Sequence, residues 1–129
     1  VYILPAFTAN AAICLPYVGV CKGYQMDFIF SDVETKTCSF TSLTAAGVAG
    51  AAGTVPVLTG NALQPNQLGT GLVAIAAFSN RSLLVCGNPA GPAYPVAGDK
   101  VSFYCDGTNW YFSAVSLARN DTAVFTSIA

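Results

Sequence analysis

The sequence predicts an all-β fold, an antiparallel β-sandwich or barrel of jelly-roll-like course, with about eight short strands and no substantial helix. Three observations predict it. Apolar residues recur with period two rather than 3.6 through most of the chain. Glycine and proline interrupt those runs at intervals of roughly 10–15 residues, as turns between short strands do. The 129 residues suffice for one hydrophobic core and are too few for two comfortable ones, so 1–129 is read as a single β-domain.

Each element follows from its own text. "VYIL" (1–4) stops at Pro5 and "AAICL" (11–15) stops at Pro16, because proline cannot donate to a strand ladder. "GYQMDFIFS" (23–31) alternates cleanly, with Tyr24, Met26, Phe28 and Phe30 on one face and Gln25, Asp27 and Ile29 on the other. The aromatic face is assigned to the core. "DVET" (32–35) reads as a turn into the returning strand "KTCSFTSL" (36–43), which makes the two strands a hairpin.

From 44 to 71 the text becomes Ala, Gly, Thr, Pro and Asn. This predicts loop with at most one short strand around Thr54–Leu58, its small residues suited to packing against a neighbour. "GLVAIAAFS" (71–79) and "SLLVCG" (82–87) read as buried strands joined tightly through Asn80 and Arg81, and "NPAGPAYPVAG" (88–98) as a surface loop. "DKVSFYCDGTNWYFSAV" (99–115) is the clearest hairpin. Val101, Phe103 and Cys105 share a face before its Asp-Gly-Thr-Asn turn, and Trp110 and Phe112 alternate after it. "TAVFTSI" (122–128) is the last strand. The core is therefore expected around Tyr24, Met26, Phe28, Phe30, Val101, Phe103, Trp110 and Phe112.

Composition narrows the function. Charged residues make up 9% of the chain, against about 25% in a typical soluble domain. With 53% apolar residues, part of the outer surface is expected to lie against something else. The most apolar windows, "LTAAGVAGAAGTVPVL" (43–58) and "GLVAIAAF" (71–78), are too short or too broken for a membrane span. Protein neighbours are the expected cover. Lys22, Lys36, Arg81, Lys100 and Arg119 are scattered singly at a net charge of −1, with no basic stripe for nucleic acid.

The chain has no histidine, which removes the commonest general base. Carboxylate pairs could still serve, but Asp32, Glu34, Asp99, Asp106 and Asp121 fall at predicted turns or strand ends, where a turn-forming or solvated role suffices. Asp27 lies in a strand, opposite the aromatic face. No enzyme, cofactor or metal site is expected. Cys14, Cys21, Cys38, Cys86 and Cys105 fit neither a redox motif nor a zinc site and read mostly as buried small hydrophobes, with a Cys14–Cys38 or Cys21–Cys38 bridge as the alternative. "NRS" at Asn80 and "NDT" at Asn120 are acceptor sequons for a chain on a secretory route. Tyr17, Tyr94, Tyr104, Trp110 and Tyr111 are candidates for a sugar platform, Tyr94 and Tyr111 above all once Trp110 is given to the core.

Two segments carry a family resemblance. "AAICLPYVGVCKGYQMDFIFS" (11–31) resembles the opening of small β-domains in viral and bacteriophage structural proteins, and "AGDKVSFYCDGTNWYFSAV" (97–115) resembles their closing hairpin. The resemblance implies a virion component: a capsid decoration or cement protein, a minor capsid protein, a head fibre or a fibre tip. It also implies a homotrimer among other capsid proteins, with no catalytic residues. The five cysteines and the low charge depart from that pattern and suit a protein wedged among shell neighbours. The alternative it implies is a receptor-binding knob that touches a host surface glycan.

Overall fold

The computed structural model describes residues 1–49, 58–65, 72–81, 83–87, 93–118 and 123–128. Within them the chain forms ten strands: β1 (Tyr2–Leu4), β2 (Ala11–Leu15), β3 (Gln25–Phe30), β4 (Cys38–Ser42), β5 (Leu58–Pro65), β6 (Leu72–Arg81), β7 (Leu83–Cys86), β8 (Lys100–Cys105), β9 (Trp110–Val115) and β10 (Phe125–Ile128). Among the described residues a 3-10 turn at Val18–Val20 is the nearest approach to a helix. The strands build a six-stranded sheet in the order β1-β3-β8-β9-β5-β6 and a four-stranded sheet in the order β10-β7-β4-β2. The β-sandwich predicted from the alternation is the fold observed.

Both sheets are mixed rather than purely antiparallel, and the chain path explains why. β1 and β3 lie in the larger sheet while β2 and β4 lie in the smaller, so the chain crosses between sheets at every step. Each crossing reverses its direction. Strands two apart therefore run the same way, and β1–β3 and β2–β4 pair in parallel. The "DVET" stretch is accordingly an arch between sheets, which corrects the hairpin expected for 23–43.

Buried hydrogen bonding selects the arch. Glu34 is fully buried, its carboxylate accepting from the Phe7 and Lys36 amides at 2.8 Å each, and its own amide donates to the Pro95 carbonyl. A buried carboxylate needs such donors, and a solvated turn would supply only the local Lys36 amide, not the Phe7 amide. The solvated role expected for Glu34 is thus overturned. Asp99 is likewise buried, not solvated, and accepts from the Ser116 hydroxyl at 2.6 Å and from the Val96 and Leu117 amides at 2.9 and 2.6 Å. Burial pushes its carboxyl above the usual range, with the three hydrogen bonds pulling the other way.

The core fills the space between the sheets. Phe40 of β4 packs between Phe28 of β3 and Phe103 of β8, with ring centroids 4.9 and 5.0 Å away. Trp110 is fully buried, meets Phe103 edge-on and donates its indole N–H to the Pro16 carbonyl at 3.1 Å. That bond anchors the segment leaving β2 beneath the closing hairpin. Of the expected core residues, Phe28, Phe30, Val101, Phe103, Trp110 and Phe112 are buried and Met26 packs half-buried against them. Tyr24 is instead 58% exposed, because β3 begins one residue later and Tyr24 belongs to the loop before it.

Of the strand expected at Thr54–Leu58, Leu58 is described and is the first residue given for β5, which pairs in parallel with β9 and antiparallel with β6. Residues 54–57 lie outside the described residues. β5 escaped the sequence because "LTGNALQP" shows no alternation and contains a glycine. The structure gives that glycine a purpose. A Cβ on Gly60 would stand 1.9 Å from the Phe112 carbonyl oxygen, so only glycine lets β5 approach β9 this closely.

Candidate functional site

The outer face of the six-stranded sheet collects the side chains that the core does not use. The closing hairpin sets its frame. Asp106 Oδ1 accepts from the Thr108 and Asn109 amides at 2.8 and 2.7 Å, and Gly107 takes φ 95°, a left-handed conformation natural to glycine. These bonds, with a smaller one from the Tyr111 hydroxyl, hold the Asp106 carboxyl below its usual range. The turn fixes the register, and the register pairs Tyr104 with Tyr111 and Phe103 with Phe112.

Three rows of outward residues then cross the sheet. The row nearest the turn runs Gln25, Tyr104, Tyr111, Thr59. The middle row runs Asp27, Ser102, Ser113, Asn61, and the third runs Ile3, Ile29, Lys100, Val115, Leu63. Residues directly opposite on one face lie about 4.5–5.5 Å apart at Cβ, so each row is a continuous contact strip. A shallow cavity of about 330 Å³ opens between the first two rows, lined by Gln25, Ser102, Tyr104, Tyr111 and Ser113, with the strands at Phe103 and Phe112 as its floor.

The electrostatics of this face are sparse. Asp27 is held below the usual carboxylate range, chiefly by the Ser102 hydroxyl and less by Gln25 and Lys100. Its Oδ1 is buried without a hydrogen-bond partner, and the Lys100 ammonium stands 4.0 Å away. This is a surface of aromatic rings, hydroxyls and amides around one loose ion pair. Such a set can stack on a flat apolar ligand face and donate or accept hydrogen bonds at its rim. It holds no facing pair of carboxylates for acid–base work.

Tyr111 sits where a stacking residue would, 42% exposed, and Tyr104 beside it is 50% exposed. Tyr94 does not join them. It is half-buried in the segment whose Pro95 carbonyl accepts from Glu34 and whose Val96 amide donates to Asp99, next to the start of β8 rather than its end. Tyr17 packs against the core and Trp110 lies within it. Gln25, Ser102 and Ser113 were not singled out in the sequence. Their only signal was position, two residues from a neighbour on the same face of a strand.

Other candidates fall elsewhere. Asn80 is exposed at the end of β6 with φ 56°, while Asn120 and Asp121 lie outside the described residues. The five cysteines are unbridged, four buried and Cys14 exposed. Cys38 stands opposite Cys86, with Cys14 opposite Thr41 and Cys21 close to Cys105, so neither Cys14–Cys38 nor Cys21–Cys38 is set up to bridge. Among the described residues no group of three or more potential metal ligands occurs, and no helix is long and apolar enough to cross a membrane. No protein-family model, curated protein or solved structure matches the chain.

Proposed function

We propose that this chain is a non-catalytic structural protein of a virion shell, a decoration, cement or minor capsid component that works by packing its outer faces against other subunits. The observation that carries the packing role is the outer face of the larger sheet. Ile3, Ile29, Tyr104 and Tyr111 stand there on paired strands beside the Lys100–Asp27 ion pair. The virion setting rests on the resemblance of residues 11–31 and 97–115. Burial of apolar area contributes about 25 cal/mol per Å², and symmetric copies multiply it, so a shell is reinforced without any reaction. Light scattering on the purified chain should give the mass of a trimer. A monomer at every concentration, with no uptake onto capsid proteins, would reject the assembly reading.

The second reading is a glycan-binding knob, and the cavity beside Tyr104 and Tyr111 favours it. Stacking on a ring with amide and hydroxyl groups at the edge is how a neutral sugar is recognised. A glycan array supports it if binding appears and is lost in Tyr111→Ala. Retained binding in that variant would place any sugar site elsewhere.

A further inference from the structure

Four of the five cysteines stand in two pairs, and the pairing is made by topology. Cys38 on β4 and Cys86 on β7 are direct partners in an antiparallel ladder, both fully buried and both directed between the sheets. Direct partners in such a ladder have Cα atoms about 4.5–5.5 Å apart, inside the roughly 4.4–6.8 Å that a disulfide spans. Their Cβ atoms need to close by only about 1 Å, at the last rung of the β4–β7 pairing.

Cys21 and Cys105 meet by a different route. The Val18 carbonyl accepts from the Cys21 amide at 3.2 Å and lies 3.6 Å from Cys105 Sγ, so one oxygen touches both residues. Gly23 donates to the Cys105 carbonyl, Cys105 donates to that of Tyr24, and Tyr24 donates to that of Cys21. The loop is laced onto the end of β8 with both thiols buried.

We propose that the mature chain carries two internal disulfides, Cys21–Cys105 and Cys38–Cys86, and keeps Cys14 as its one free, exposed thiol. The oxidant is a small-molecule or protein disulfide. One thiolate of a pair attacks it and releases the first thiol, and the second cysteine then displaces the other. Each bridge thus passes two electrons to the oxidant, which leaves as two thiols carrying the two protons.

The environment dictates when this happens. Burial pushes the Cys38 thiol up to about 12, with Glu34 adding to it, and burial, Cys38 and Asp99 likewise raise Cys86. Burial and Cys105 also raise Cys21. Neutral thiols are poor nucleophiles, so the folded reduced protein oxidises slowly. Bridging belongs to folding, before the sheets close, and the finished bridges are shielded from reductant.

The test is refolding of the full chain from denaturant in a glutathione and glutathione-disulfide buffer, then alkylation under denaturing conditions and peptide mapping by mass spectrometry. The expected result is a mass lower by about 4 Da before alkylation, one alkylated residue, Cys14, and two cross-linked peptides with the stated pairings. The oxidised form should melt higher than the reduced form by about 10 °C or more. Cys14→Ser should change neither pairing nor melting. Cys86→Ala should leave Cys38 free and Cys21–Cys105 intact, and should it fail to fold, the wild-type map still decides. Five alkylated cysteines after oxidative refolding, or a bridge that uses Cys14, would overturn the proposal.

Discussion

β8 and β9 show two faces built from the same twelve residues, and they differ in kind. Inward they present Val101, Phe103, Cys105, Trp110, Phe112 and Ala114, all buried. Outward they present Lys100, Ser102, Tyr104, Tyr111, Ser113 and Val115, none of them buried. The inner aromatics have a structural reason to be there, since without them the two sheets have nothing to close on. Tyr104 and Tyr111 contribute less to the fold, a cross-strand contact with each other and the Tyr111 hydroxyl contact to Asp106. Serine or threonine would also satisfy the fold at an outward position, so these rings are where the proposed partner or ligand contact is to be tested.

The comparison breaks most directly at its inner side. Trp110→Ala removes the largest fully buried side chain and the indole bond to Pro16, and should destabilise the fold by about 3–5 kcal/mol in chemical denaturation. A loss under about 1 kcal/mol would mean the hairpin face is not the core. Gly60→Ala comes next. Its new methyl group collides with the Phe112 carbonyl, so β5 must move away from β9, at a cost of about 1–3 kcal/mol. Hydrogen exchange should localise that loss to β5 and β9, and uniform loosening would argue against the close approach.

These two positions also mark what the sequence can and cannot disclose. Trp110 was legible because alternation is local, and six of the eight expected core residues follow from period two alone. Gly60 was not, because its constraint comes from Phe112, far along the chain and joined to it only through a parallel pairing. The arch at 32–35 escaped for the same reason. "DVET" has turn composition whether the chain returns in the same sheet or crosses to the other, and the deciding contacts of Glu34 are with Phe7, Lys36 and Pro95. At the candidate site the tyrosines were visible as aromatics. Their company was not, since Gln25, Ser102 and Ser113 become neighbours only once the register is known.

Asp99 sharpens the contrast from a third side, as a polar group held by the core. Its carboxyl is raised above the ordinary value of 3.8, so the folded state holds the proton more tightly than the unfolded state. The stability this contributes is full below the ordinary value and is lost as pH rises through the raised one. Asp99→Asn should cost about 1–3 kcal/mol, because an amide nitrogen cannot accept the bonds that one carboxylate oxygen takes. The deficit relative to wild type should narrow as pH climbs from acid toward neutrality. A deficit that widened over that range would show that burial does not dominate this carboxyl.

The smallest expected change in stability tests the outer face, and there a small number is the informative one. Tyr104→Ala and Tyr111→Ala each forfeit a cross-strand contact worth about 0.2–1 kcal/mol, and Tyr111→Ala also loses a hydroxyl contact to Asp106. The double variant should therefore melt within a few degrees of wild type. If the face is an assembly surface, the same variant should run as a monomer under conditions where wild type is a trimer. If it is a sugar platform, the trimer should persist and glycan binding should vanish. A double variant that unfolds outright would erase the distinction between the faces, because the outer rings would then hold the sandwich together as the inner ones do.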